Sequence, residues 1–243
     1  MHKYVGESMT TINVQRASDR FLTDIGWLHS RHSFNFGHHY SPAHQGHGLL
    51  LVNNDDIVAP GGGFGTHGHR DMEIVSWVLS GRLEHRDSEG NHGVLYPGLA
   101  QRMSAGRGIR HSEMNASSDE PVHFLQMWVP PDVEGIEPGY EQLDLNDALA
   151  TGDLIPIASG QGHPNTIRIH QRSAVLWGAR LQSGGSVTIP DDPHVHVFVA
   201  VGSGTLDGAG NLGTGDAVRL TLAGERVFTS GPEGAELSVW ATA

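Results

Sequence analysis

The apolar residues of this chain come in short runs, and each run is closed by a residue that turns or frees the backbone. Gly48-Leu49-Leu50-Leu51-Val52, Ile74-Val75-Ser76-Trp77-Val78-Leu79, Phe124-Leu125-Gln126-Met127-Trp128-Val129 and Val195-His196-Val197-Phe198-Val199-Ala200-Val201 are each followed within two residues by glycine, proline or asparagine. Runs of this length, rich in β-branched and aromatic residues, predict strands of a sandwich or barrel. The dipeptides Ser80-Gly81, Glu89-Gly90, Pro97-Gly98, Asp207-Gly208 and Gly215-Asp216 predict the turns between them. The expected fold class is therefore all-β. One short helix is expected near Leu143–Ala150, where Asp144 or Asn146 would cap it.

The rhythm repeats. Trp77-Val78-Leu79-Ser80-Gly81-Arg82-Leu83 precedes Pro97-Gly98, and Ala200-Val201-Gly202-Ser203-Gly204-Thr205-Leu206 precedes Gly215-Asp216. Strand, glycine turn, strand and second glycine turn is the pattern of a jelly roll. With 243 residues, two tandem barrels fit. The expected boundaries are 10–135 for the first, 136–162 for a proline- and glycine-rich connection, and 163–243 for the second. Residues 1–8 are read as an extension upstream of a second possible start at Met9. The first residues lack the apolar centre of a signal peptide, and no apolar run approaches a membrane span, so the expected compartment is the cytoplasm. A net charge of −12 argues against direct nucleic-acid contact. With no cysteine, disulfides, thiolate nucleophiles and thiolate metal sites are excluded.

Among the 17 histidines, spacing separates two pairs from the rest. Gly65-Thr66-His67-Gly68-His69 and Gly108-Ile109-Arg110-His111-Ser112-Glu113 each hold two metal-competent side chains at i and i+2. On a strand these positions share a face. If both strands line one barrel, His67, His69, His111 and Glu113 converge. Three imidazoles and a carboxylate leave two octahedral positions open, which suits a divalent transition metal that also holds substrate or O2.

These residues also carry a family resemblance. Gly61 to Gly81 resembles the first cupin motif, and Gly93 to Asn115 the second. His29-Ser30-Arg31-His32-Ser33-Phe34-Asn35-Phe36-Gly37, His67-Gly68-His69-Arg70-Asp71-Met72-Glu73, Met103-Ser104-Ala105-Gly106-Arg107-Gly108-Ile109-Arg110-His111-Ser112-Glu113 and Leu125-Gln126-Met127-Trp128-Val129 resemble the pirin branch of the cupins. The likeness continues through Tyr140-Glu141-Gln142 into Ile169-His170-Gln171. It implies a bicupin with one metal in the N-terminal barrel, held by His67, His69, His111 and Glu113. Many other cupins use the glutamate that matches Glu73 instead, so both carboxylates are candidates. Ferrous iron is the metal the resemblance implies first, with manganese, cobalt, nickel, copper or zinc as alternatives. At the matching steps the second half offers Pro190, Asp192, Phe228 and Ser230, so it is expected to be metal-free and structural.

Two functions follow from the resemblance. One is a quercetin 2,3-dioxygenase that opens the flavonol ring with O2 and releases CO, with Glu113 as the base. The other is a non-catalytic iron- or redox-sensing protein that binds a protein partner. A cupin isomerase or sugar-binding module is a third. The histidine-rich stretch His29, His32, His38, His39, His44 and His47 is read as a polar surface or entrance loop. Phe34, Phe36, Met103, Met127 and Trp128 are either core or the walls of an aromatic pocket. On their strand, Phe124, Gln126 and Trp128 share one face and Leu125 and Met127 the other, and only one face can look into the barrel. Arg70 and Arg110 point away from the pairs they adjoin. Gly106-Arg107-Gly108 lacks the lysine and helix of a phosphate loop.

Overall fold

Burial alternates along many segments of this chain, as the pleat of a strand requires, and strands make up almost all the regular structure in the computed structural model, which describes residues 9–243. The proposed extension at residues 1–8 lies outside the described residues. In chain order the strands are β1 (Thr11–Gln15), β2 (Phe21–Asp24), β3 (Leu28–His32), β4 (Val52–Val58), β5 (Gly63–His69), β6 (Glu73–Ser80), β7 (Leu83–Asp87), β8 (His92–Leu95), β9 (Leu99–Ser104) and β10 (Ile109–Asn115). They continue as β11 (Val122–Val129), β12 (Gly139–Asp144), β13 (Ile155–Ser159), β14 (Ile167–Arg168), β15 (Ala174–Leu181), β16 (Ser186–Ile189), β17 (His194–Leu206), β18 (Gly210–Gly213), β19 (Ala217–Thr221) and β20 (Arg226–Thr242). The expected helix is α1 (Asn146–Leu149), a single turn. Its first residue, Asn146, donates its backbone N–H to the Asp144 carboxylate at 2.9 Å. Among the described residues no helix is long and apolar enough to cross a membrane.

The first barrel closes a seven-stranded sheet, in the order β12-β9-β6-β11-β4-β3-β2, over a four-stranded sheet, β5-β10-β7-β8. Leu28, Val78, Leu83, Leu95 and Phe124 pack between them. The second barrel is one nine-stranded sheet built around β17 and β20. Both strands are long, and bulges at Val199/Val201 and Gly202/Gly204 bend them so that each serves two layers. Val195, Val197, Val199 and Phe228 fill its interior.

The barrels share a core, and this explains the continuous apolar runs. Leu125 and Met127 of β11, Val75 and Trp77 of β6, Phe198 of β17 and Trp240 of β20 form one buried cluster between the halves. These strands are covered on both faces, so neither face is polar. The face alternative on β11 is thereby resolved, because Phe124, Gln126 and Trp128 look into the first barrel.

Residues 136–162 differ from the expected connection. They supply β12, six residues long, to the first barrel's sheet and β13, five residues long, to the second's, so the apparent linker takes part in both sheets. Gly139 opens β12, and Pro156 stands second in β13, beside a register shift in its pairing with β15. The N-terminal boundary also differs. β1 pairs with β19 of the second barrel before the chain returns to β2 of the first. An Arg16–Asp216 ion pair at 2.8 Å holds this crossing strand.

Candidate metal centre

Strand pairing brings the two sequence pairs together. β5 and β10 are antiparallel neighbours, with His111 opposite His67. A bulge between His111 and Glu113 shifts the register so that Glu113 opposes Phe64. The turn that launches β10 depends on Gly106. Its φ is +47°, and a Cβ there would stand 2.2 Å from the Ile136 carbonyl oxygen.

The three imidazoles meet at ring separations of 4.5 to 4.9 Å. One nitrogen from each lies within 4.8 Å of the others. Hydrogen bonding orders their tautomers. His67 Nδ1 lies 2.8 Å from the Gly65 carbonyl oxygen, an acceptor only, so Nδ1 carries the proton and Nε2 is bare. His85 Nε2 donates to Asp87 Oδ2 at 3.1 Å, which leaves His85 Nδ1 to accept from His111 Nδ1 at 3.5 Å. That makes His111 Nε2 bare as well. It faces His67 Nε2 at 3.1 Å, and His69 Nε2 is buried with no partner. Burial, reinforced by the neighbouring imidazoles, pushes His69 down to about 4 and His111 down to about 3. At neutral pH the His69 and His111 rings are therefore uncharged, and His111 Nε2 turns its lone pair toward His67. Such a donor set fits a cation, because two bare nitrogens at hydrogen-bond distance have no proton to share.

Glu113, only 1% exposed, forms a second group within 4.8 Å that comprises His85, His111 and Glu113. Its Oε1 accepts from Ser76 Oγ at 3.2 Å and its Oε2 from Gln126 Nε2. Gln126 is in turn held by Trp128 Nε1 at 3.1 Å. Glu73, the other candidate carboxylate, points away toward the second half. Its Oε2 accepts from Ser104 Oγ at 2.9 Å and the His170 backbone N–H at 3.0 Å. Among the described residues, both groups able to hold a metal lie in the first barrel.

A cavity of about 450 Å³ opens beside His67, His69 and Glu113. Phe36 and Trp128 line it, whereas Phe34 and Met127 belong to the core between the barrels. Met103 packs with Ile74, Ala105 and Ile109. Arg70 is spent on the Arg107 carbonyl at 3.1 Å, and Arg110 is exposed.

The histidine-rich stretch is less superficial than expected. His29 and His32 lie on β3, with His32 buried, and His38 lines the cavity. His44 and His47 contact Arg219 and Leu220 of the second barrel. His196 is buried between Phe34 and Phe198 with neither ring nitrogen bonded. Sequence spacing missed His85, which backs His111, and the buried Asp56 and Ser30. The signal for the last two was the i, i+2 alternation of Leu28-Ser30-His32 and Asn54-Asp56-Val58.

The pirin family model matches residues 13–129. A Mycobacterium tuberculosis protein named "Putative quercetin 2,3-dioxygenase" is 55% identical over 95% of this chain and 94% of its own length. The Escherichia coli protein named quercetin 2,3-dioxygenase is 40% identical over 81% of this chain and 84% of its own. The crystal structure of YhhW from Escherichia coli superposes with a TM-score of 0.89 at 34% identity, covering 96% of this chain and 98% of that one. A structure of the bacterial pirin YhhW in complex with nickel(II) matches with a TM-score of 0.87 at 33% identity, covering 96% and 99%.

Proposed function

Because this chain belongs to the pirin family, we propose that it is a metal-dependent quercetin 2,3-dioxygenase-like enzyme of the bicupin fold, in which His67, His69, His111 and Glu113 hold one divalent transition metal. The observation that carries this reading is the convergence of one nitrogen from each of His67, His69 and His111 beside a cavity lined by His67, His69 and Glu113. Ferrous iron is the metal proposed first, and the nickel complex of the related pirin supports the wider divalent class. When bound, such a metal supplies Lewis acidity toward an enolic hydroxyl and redox chemistry toward O2.

The protein's own residues do the rest. The cavity falls within the roughly 300–1,000 Å³ of small-molecule sites and has aromatic walls suited to a planar ring. Glu113 Oε1, held only by the Ser76 hydroxyl, is positioned to accept the proton of a flavonol 3-hydroxyl. Gln126 holds the other oxygen, so the carboxylate keeps its orientation as that proton moves. His85 and Asp87 fix the ring and tautomer of His111. The second barrel buries the back of β6 and β11 and keeps the site rigid.

The test is aerobic incubation of metal-loaded protein with quercetin. Loss of the flavonol absorbance with release of CO is expected. Absence of turnover with iron, manganese, cobalt and nickel would refute the proposal.

A further inference from the structure

The cavity has a second polar face. β3 and β4 pair with Ser30 opposite Asp56 and His32 opposite Asn54. All four side chains are buried and line the cavity. Three of them are satisfied by the protein. His32 Nδ1 lies 2.8 Å from Asn54 Oδ1, and its Nε2 lies 3.0 Å from Thr23 Oγ1. The Ser30 hydroxyl donates to Asp56 Oδ1. Among the described residues no donor reaches Asp56 Oδ2.

Asp56 is therefore a carboxyl that is 2% exposed and makes one neutral hydrogen bond. The nearby guanidinium of Arg20 is committed to Asp55 at 3.1 Å. Phe124 opposes Asp56 on β11, and Leu28 and Val58 flank it on β3 and β4. A buried carboxyl in such surroundings weakens a fold unless it is paired. An apolar residue of similar size would pack this wall as well or better. The free oxygen has only the cavity to face.

The two polar faces lie on opposite sheets. The histidines stand on the four-stranded sheet and Asp56 on the seven-stranded sheet. Between them the aromatic walls are Trp27 with Phe64 and Phe36 with Trp128. A planar ring system inserted between the sheets presents one oxygen-bearing edge to each. Burial, with the charges of Asp55 and Glu113 adding, pushes the Asp56 carboxyl up to about 7, so it can donate as well as accept a hydrogen bond near neutral pH.

We propose that Asp56, oriented by Ser30, is a substrate subsite that takes a phenolic hydroxyl, so that the cavity selects planar aromatics carrying hydroxyls beyond the enolic group offered to the histidine cluster. The inference rests on the proposed function for the identity of that enolic group. It assigns polyhydroxylated rings, rather than bare aromatic ones, as the substrate class.

Quercetin and 3-hydroxyflavone share the 3-hydroxy-4-keto group and differ in ring hydroxyls, which makes them a direct probe. Binding to the full chain, metal-free and nickel-loaded, is read without oxygen by quenching of tryptophan fluorescence. Wild type is expected to bind quercetin at least about tenfold more tightly than 3-hydroxyflavone, the scale of one hydrogen bond to a buried polar partner. Asp56→Leu should abolish that preference by weakening quercetin alone, and Asp56→Asn should retain part of it. If Asp56→Leu does not fold, Asp56→Asn and Ser30→Ala carry the same comparison, with a reduced preference expected in both. A preference equal in wild type and all variants, or absent from wild type, overturns the subsite. Aerobic turnover of the iron-loaded wild type is scored separately. Turnover of both flavonols with no Asp56-dependent preference sinks the subsite and leaves the dioxygenase standing. An Asp56-dependent preference in binding without any turnover does the reverse.

Discussion

Replacing Asp56 with asparagine should change how stability responds to pH. The carboxyl titrates near 3.8 when unfolded and at about 7 when folded, a rise caused first by burial and opposed by the Ser30 hydrogen bond. Asp55 and Glu113 raise it further and Arg20 lowers it. Across this window the folded chain keeps a proton that the unfolded chain has released. Folding therefore binds protons, and each unit of rising pH destabilises the native state. Above about pH 7 both states are ionised and the penalty is constant. One unit corresponds to about 1.36 kcal/mol. The whole gap is then worth about 4 kcal/mol, of which about 3 kcal/mol accrues between pH 5 and 8.5. The amide of Asp56→Asn cannot titrate, so the variant should gain about 3 kcal/mol on wild type over that interval. For a chain of this size that is roughly 6–12 °C in melting temperature. The assay is a series of thermal melts of both metal-free proteins from pH 5 to 8.5, followed by circular dichroism. A difference that stays flat within about 1 kcal/mol would mean that Asp56 ionises normally, and the reasoning about a dry carboxyl would fail.

Further substitutions test the metal centre and the joint between barrels. His111→Ala should lose bound metal in elemental analysis while its circular dichroism stays native; full retention would place the site elsewhere. Glu113→Gln should lower metal retention and Glu73→Gln should not, because Glu73 faces Ser104 and His170 instead of the histidine cluster. His85→Phe should weaken metal affinity about 10- to 100-fold in competition with a chelator, since it removes the partner that orients His111. Trp240→Ala should cost about 3–5 kcal/mol in urea denaturation, because this side chain is 1% exposed in the shared core. A loss below about 1 kcal/mol would mean that the halves do not stabilise each other.

Strand alternation is a local property, and what it controls was legible from the residues. His67 with His69 and His111 with Glu113 lie two apart, so each pair shares a face whatever the rest of the chain does. The short apolar runs closed by glycine, proline or asparagine are likewise local, and the all-β class followed from them. Residues 136–162 read as a connection for a local reason as well, because prolines and glycines in and beside short strands look the same as those of a linker. β12 and β13 exist because a sheet edge is there to receive each of them.

Pairing between distant segments is a different matter. Nothing near Glu113 says that Gln126 will reach it across the barrel, or that His85 will stand behind His111. The choice of Gln126 and Trp128 over Leu125 and Met127 as the inward face needed the second barrel, which covers the other side of β11. Asp56 is the clearest case. The spacing of histidines and carboxylates along single strands does not single it out. The register of β3 against β4 turns it inward under Ser30, while Asp55 meets Arg20 and His123. By itself the sequence determined the fold class and the four metal-competent side chains, since both depend on spacing along single strands. Only the tertiary structure decided which side chains back that group, which face it across the cavity and which carboxyl is left with one oxygen free, since those depend on which strands become neighbours.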